Sequence, residues 1–219
     1  FAGGRVRINV AGYYNELSDL QREINLSDPF VGVIQIIRNT SDATITGFDF
    51  EMSASLSDHL FLRANYGYVD GGYDEVRFDL NGDGAIDSAD RNLSLPRLAP
   101  HSYGAELIYS RETGIGTFTA QASGYHRDAN AYTDNNRGQL RAVDMFDASM
   151  GISFWEDRMK LSIFGRNLKD ESTIGGDTQL PGTFPGSPTF ALPAFQGTGA
   201  TFSPLNKGRI YGVELQYRM

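Results

Sequence analysis

The chain has 219 residues, of which 40% are hydrophobic and only 21% charged, so it is no disordered polar tail. Its net charge of −8 argues against a nucleic-acid partner, and the absence of cysteine excludes disulfides, thiolate metal sites and a cysteine nucleophile. With 25 Gly, 14 Phe and 11 Tyr, the composition favours an all-β architecture rich in turns. No stretch approaches the ~18 consecutive apolar residues of a membrane helix. The opening Phe-Ala-Gly-Gly has neither the basic nor the apolar region of a signal peptide, which is expected of a piece of a larger protein.

Along the chain the dominant period is two. Val6, Ile8, Val10 and Tyr14 alternate with Arg5, Arg7 and Asn9. Phe48, Phe50, Met52, Ala54 and Leu56 alternate with Asp49, Glu51, Ser53 and Ser55. Leu60, Leu62, Ala64, Tyr66 and Tyr68 follow, opposed by His59, Arg63 and Asn65. The pattern returns at Tyr103 to Tyr109, Phe118 to Ala122, Phe146 to Phe154, Met159 to Ile163 and finally Arg209 to Met219. About eight strands are predicted, each with one apolar and one polar face.

Two architectures share that pattern. In a soluble sandwich the apolar faces meet each other, whereas in an outer-membrane barrel they meet lipid and the polar faces line a lumen. Loop lengths favour the barrel. The links at Ser57-Asp58, Arg111 to Gly114 and Glu156-Asp157 are short, while those at about 18–30, 74–97, 128–140 and 170–206 are long. Strict alternation of short and long is the mark of one periplasmic and one extracellular rim. Tyr14, Tyr66, Tyr68, Tyr103, Tyr109 and Tyr217 lie toward strand ends, where aromatic girdles sit.

Between two strands lies Asp79-Leu80-Asn81-Gly82-Asp83-Gly84-Ala85-Ile86-Asp87-Ser88-Ala89-Asp90. Oxygen side chains occupy loop positions 1, 3, 5, 9 and 12, with glycine at the sharp turn and Ile86 as an expected apolar anchor. Ca²⁺ takes six to eight hard oxygen ligands. The predicted set is Asp79, Asn81, Asp83 and Asp90 through their side chains, Ala85 through its carbonyl, and Asp87 directly or through water. A solvated acidic turn is the competing reading, since Asn-Gly and Asp-Gly form turns anyway. The final Asp resembles a dockerin-type loop more than an EF-hand. The ion is expected to be structural, pinning an extracellular loop.

Other chemistry is sparse. His59, His101 and His126 fall on different predicted strands and are expected to be isolated. Glu51, Glu106 and Glu214 face the expected lumen and are predicted to pair with Arg63, Arg166 and Arg218. No phosphate loop or nucleophile motif appears, and no enzymatic activity is predicted. Segment 172–206 carries Pro181, Pro185, Pro188, Pro193 and Pro204 with Phe184, Phe190, Phe195 and Phe202, expected to pack on neighbouring loops, with contact to a ligand or partner as the alternative.

The ending Arg209-Ile210-Tyr211-Gly212-Val213-Glu214-Leu215-Gln216-Tyr217-Arg218-Met219 resembles the last strand of TonB-dependent outer-membrane receptors, although that family usually ends in Phe. Gly12-Tyr13-Tyr14-Asn15-Glu16-Leu17-Ser18-Asp19-Leu20-Gln21, Thr46-Gly47-Phe48-Asp49-Phe50-Glu51, Leu62 to Tyr68 and Phe164 to Glu171 are also similar to strands of that family. The resemblance implies that residues 1–219 are the C-terminal portion of a barrel of about 22 strands, an antiparallel transmembrane meander of which this chain supplies about eight. It implies a Gram-negative outer-membrane location, and partners in outer-membrane lipid, a plug domain with the N-terminal strands, TonB, and a scarce ligand of the siderophore, cobalamin or oligosaccharide class. The alternatives are a self-contained eight-stranded barrel with a structural or adhesive role, and a soluble calcium-binding sandwich. Pairing of the first strand with the last would favour the small barrel.

Overall fold

The computed structural model describes residues 2–28, 32–156, 158–179 and 201–218. A 3-10 turn, η1 (Ala2–Gly4), leads into β1 (Val6–Asp28), β2 (Gly32–Ser55) and β3 (Leu60–Val76). After one turn of helix, α1 (Ser88–Arg91), come β4 (His101–Thr113) and β5 (Gly116–Arg127). Short β6 (Asn130–Ala131) and β7 (Gln139–Leu140) pair with each other and are followed by β8 (Val143–Phe154) and β9 (Met159–Arg166). Short β10 (Thr178–Gln179) and β11 (Thr201–Phe202) also pair, and β12 (Ile210–Tyr217) ends the series.

Eight of these strands form one antiparallel sheet in the order β1-β2-β3-β4-β5-β8-β9-β12. Each of the six inner strands pairs with the long strands before and after it in the chain, as a meander must. The outer edges of β1 and β12 do not pair with each other, so the self-contained eight-stranded barrel is overturned.

The register places the apolar residues on one side in continuous rows. Val10, Phe50, Tyr66 and Tyr103 stand directly opposite one another across four strands. Lower down, Leu107, Ala122, Ala148 and Gly165 share a row, as do Ala120, Met150, Ile163 and Val213. No second layer covers these rows among the described residues. Val10 is 68% exposed, Met150 50% and Val213 71%. A water-soluble sandwich would have buried them, so that reading fails too. The opposite face carries Asn9, Glu51, Asn65, Gln121, Ser149 and Ser162, a polar lumen wall.

Rings mark the two limits of the apolar band. Phe48, Tyr66, Tyr68 and His101 pack together near one rim, while Tyr109 meets Phe118 and His59 near the other. From His101 to Arg111 on β4 is ten steps. At ~3.3 Å per step and a tilt near 40° that spans about 25 Å, the height of a hydrocarbon belt.

Above the upper ring the polarity of the sheet inverts. The outward row Glu16, Thr44 and Gly72 is polar or small, and the Thr44 hydroxyl donates to Asp74 at 2.7 Å. The inward row Leu17, Ala43 and Tyr73 is apolar, and Ala43 and Tyr73 are buried. Leu80 and Leu95 complete that small core, with Leu20, Ile45, Val76, Phe78, Leu93 and Leu98 packed around it. Segment 77–100 thus folds over the inner side of the extended strands.

This extension corrects the sequence reading of 18–30 as a loop. β1 stays a strand to Asp28, and β2 begins at Gly32. β-bulges interrupt the ladder between Leu17 and Gln21 and between Asp42 and Ala43. Each extra residue switches the inward positions from odd to even, so Leu20 follows Leu17 and Val76 follows Tyr73 on the same face. Asp19, at φ 54°, sits in the first bulge, and its N–H donates to Asp42 at 2.7 Å. Arg77 gathers Asp42, Glu75 and Asp19 on the outer side.

The face assignment predicts an asymmetric response to charge. Arginine at Ala148, on the outward face at mid-wall, is expected to cost roughly 2–4 kcal/mol. Arginine at the adjacent inward Ser149 is expected to cost well under half of that. Reversible denaturant unfolding of the two barrel variants in lipid, side by side, measures the difference.

Candidate functional site

Segment 77–100 contains the acidic loop, and its carboxylates organise its own backbone. Asp79 accepts from the N–H groups of Gly82 at 2.7 Å and Gly84 at 2.8 Å. Asn81 and Asp83 accept from the N–H groups of Asp83 and Ala85 in turn. Gly82 and Gly84 stand at φ 77° and 94°, where glycine relieves the strain. Asp87 caps α1 by accepting from Ala89. Asp90 is fully buried and accepts from Leu80 at 2.8 Å, Asn81 at 2.9 Å and Asp87 at 3.1 Å. All six residues of the predicted calcium set therefore lie on one short loop. The donor chemistry, hard oxygens only, fits Ca²⁺. Yet no three acidic or histidine side chains converge to metal-holding distance among the described residues. Ile86 does not anchor the loop, being 56% exposed; Leu80 is the buried residue instead.

A second segment, 128–140, lies against the first. The N–H of Ser94 donates to the Asn136 side chain at 2.7 Å, and that amide donates back to the Ser94 carbonyl at 2.8 Å. The N–H of Arg97 donates to the Ala131 carbonyl at 2.7 Å, and its guanidinium stacks 4.8 Å from the Tyr132 ring. Arg137 reaches the carbonyl of Asn81 at 3.3 Å. On the other side Arg22 of β1 places Nε 3.0 Å from Asp134.

Below the loops, the lumen wall carries a sparse polar network. Arg63 pairs with Glu106 at 3.3 Å, and Gln121 donates to the same carboxylate. The predicted pairing holds there and not elsewhere. Glu51 instead accepts from Asn9 at 3.3 Å, and Arg166 lies over the Phe164 ring. Glu214 has no ion pair among the described residues. A groove of about 610 Å³ on this face is lined by Gln121, Asp147, Lys160, Arg166 and Glu214, among others.

The histidines are not all isolated. His59 sits in the β2–β3 turn rather than on a strand. His126 bonds Asp144 at 2.7 Å and Asp128 at 3.0 Å, and its ring stacks on Tyr103. The His101 N–H donates to the other oxygen of Asp128. Cross-strand register makes this clamp, which single-strand spacing could not reveal. Asn167 was also missed as a site. It is buried at φ 51° and both accepts from and donates to the Glu171 backbone, closing the turn after β9. Of segment 172–206, Pro204 and Phe202 are described, and Phe202 is 61% exposed rather than packed. Pro181, Pro185, Pro188, Pro193, Phe184, Phe190 and Phe195 lie outside the described residues.

A one-layer sheet with its apolar side outward and a polar inner wall leaves one architecture. Residues 1–168 match the family model described as "TonB dependent receptor-like, beta-barrel". The chain belongs to the TonB-dependent receptor family. Solved receptors share the fold at low identity. The ferric yersiniabactin uptake receptor FyuA from Yersinia pestis is 15% identical with a TM-score of 0.72, over 97% of this chain and 27% of that one. The siderophore receptor PiuA from Acinetobacter baumannii is 13% identical with a TM-score of 0.66, over 98% and 26%. The ferric-catecholate import receptor Fiu from K12 E. coli is 10% identical with a TM-score of 0.61, over 96% and 25%. This chain therefore spans about a quarter of the length of these TonB-dependent receptors. The neighbours are transport receptors rather than enzymes. No curated protein sequence matches the chain.

Asp134 carries a pH signature. Burial pushes its carboxyl above the ordinary range, against the pull of Arg22 and Arg97; the Tyr73 phenol faces it as well. The folded loop thus binds a proton more tightly than the unfolded one. The penalty is fully present above the folded pKa and disappears as pH falls toward the unfolded value near ~3.9. Amide-exchange protection of 131–140, corrected for intrinsic rates, is expected to rise on acidification from neutral pH. In Asp134→Asn that rise should be lost.

Proposed function

We propose that the chain is the C-terminal portion, residues 1–219, of a Gram-negative outer-membrane receptor that takes up a scarce ligand through TonB. The observation that carries this reading is the open eight-stranded sheet, apolar outward and polar inward, with both edges unpaired. In hydrocarbon such edges need strand partners, which the remaining ~14 of ~22 strands would supply. The polar inner wall around Arg63, Glu106 and Gln121 would face a plug domain, and outer-membrane lipid would solvate the outward rows. A plug and TonB, which works from the periplasmic side, are partners of the whole receptor.

The ligand belongs to the siderophore, cobalamin or oligosaccharide class. That FyuA, PiuA and Fiu are ferric yersiniabactin, siderophore and ferric-catecholate receptors favours a ferric chelate among these. Deleting the gene is expected to abolish high-affinity uptake of one such ligand, and a proton uncoupler should abolish it in the parent strain. Unchanged uptake of all three classes on deletion would contradict the reading. Radiolabelled ligand accumulation in whole cells measures both.

The loop at 79–90 is proposed as an extracellular calcium site that is structural in role. Asp79, Asn81, Asp83 and Asp90 would contribute side-chain oxygens, Ala85 its carbonyl, and Asp87 a direct or water-bridged contact. Extracellular modules bind Ca²⁺ with Kd of roughly 10⁻⁴–10⁻³ M. Protection of the loop from protease in the intact receptor should saturate over that range. Asp79→Ala with Asp83→Ala should remove the calcium dependence while leaving the barrel's heat-modifiable migration unchanged.

A further inference from the structure

The two outer segments differ in how they are fastened. Segment 77–100 is held by apolar contact: Phe78, Leu80, Leu93, Leu95 and Leu98 pack on Leu20, Ala43, Ile45, Tyr73 and Val76. Segment 128–140 has its own small hairpin, β6 with β7, and shares no residue with that core. Its Ala131 and Leu140 are buried, and polar contacts fasten its margins. Ser94 and Arg97 hold one margin, and the Gln139 N–H donates to Asp177 at 2.6 Å on another. Towards the β1–β2 hairpin the fastening described is the Arg22–Asp134 pair.

That pair is poorly satisfied. Nε of Arg22 and Oδ1 of Asp134 are 3.0 Å apart, yet both are buried atoms without a hydrogen-bond partner in acceptable geometry. The hydroxyl of Tyr73, whose residue is 5% exposed, lies beside them and likewise has no partner in acceptable geometry. Charges taken out of water are offset only by good geometry and full hydrogen bonding. A contact that meets neither condition holds less firmly than the apolar packing next to it.

We infer that segment 128–140 is a flap lying on a fixed platform, residues 77–100, and that Arg22–Asp134 is the latch at which it lets go. The platform stays with the strands because opening it would expose its leucines. The flap lets go at this corner because the Arg22–Asp134 contact is buried and ill-aligned, whereas its bonds to Ser94, Arg97 and Asp177 are well formed. Arg22 lies on the extension of β1 beyond the lipid belt, across the Asp19 bulge from the wall.

Hydrogen exchange in the intact receptor, reconstituted in lipid, tests this. Platform reporters are the amides of Leu80 and Asn81, which donate to Asp90. Flap reporters are those of Tyr132, Asn136 and Gly138, bonded within the flap. Arg22→Ala leaves Asp134 buried and uncompensated, and should speed flap exchange at least tenfold while platform exchange stays within twofold. Arg22→Met with Asp134→Leu removes both charges and should return flap exchange to the parent rate or slower. Unaltered flap exchange in Arg22→Ala overturns the latch. Platform and flap accelerating together overturns the separate flap. A double variant as fast as the single one overturns the claim that the ill-satisfied pair is the weak fastening.

Discussion

Hydrocarbon offers no hydrogen bonds. Every N–H and C=O that enters it must find its partner within the protein, and each lipid-facing side chain must be apolar. The eight-stranded sheet meets both demands through one device, the antiparallel ladder. Its bonds satisfy the backbone while its two-residue period sorts side chains to opposite faces. The rows Leu107-Ala122-Ala148 and Ala120-Met150-Ile163-Val213 show the sorting across strands far apart in sequence. The same demand makes the edges of β1 and β12 intelligible, since neither is complete without another strand.

Once the strands leave lipid, the demand reverses. Water now solvates the outward side, and Glu16, Thr44 and Asp74 occupy it. The inward side becomes a small conventional core beneath the platform. One continuous sheet therefore follows two folding rules, and the change occurs within a few residues of Tyr14 and Tyr68. The loops are consequently more than connectors: segment 77–100 is a packed element with its own buried leucines.

The membrane-embedded part was legible in the sequence because one rule governs it without interruption. Phe48 to Leu56 or Arg209 to Tyr217 can be read by eye, and the structure places each on the expected face. Gly47, in one of the family-like stretches, has a packing reason: a side chain there would collide with Tyr13 across the strand. Legibility failed where the rule changes phase. Between Leu17 and Leu20, and between Tyr73 and Val76, the apolar positions pass from odd to even, so alternation breaks although the strands continue. Contacts such as His126 with Asp144 or Arg22 with Asp134 depend on register and loop packing, and no local pattern announces them. The acidic loop is intermediate. Its turn chemistry is local and was readable, whereas the burial of Asp90 comes from its neighbours.

The bulges beside Asp19 and Asp42 separate two kinds of sequence change. Below them a single inserted residue would turn a whole strand over and put carboxylates into oil. At them the ladder already takes up extra residues, one each in β1, β2 and β3, with polar residues bound to Arg77 around them. They act as a clutch between a wall that tolerates almost no indels and an outer region free to diversify. A barrel wall built this way can vary its outer segments while its bilayer span stays in register.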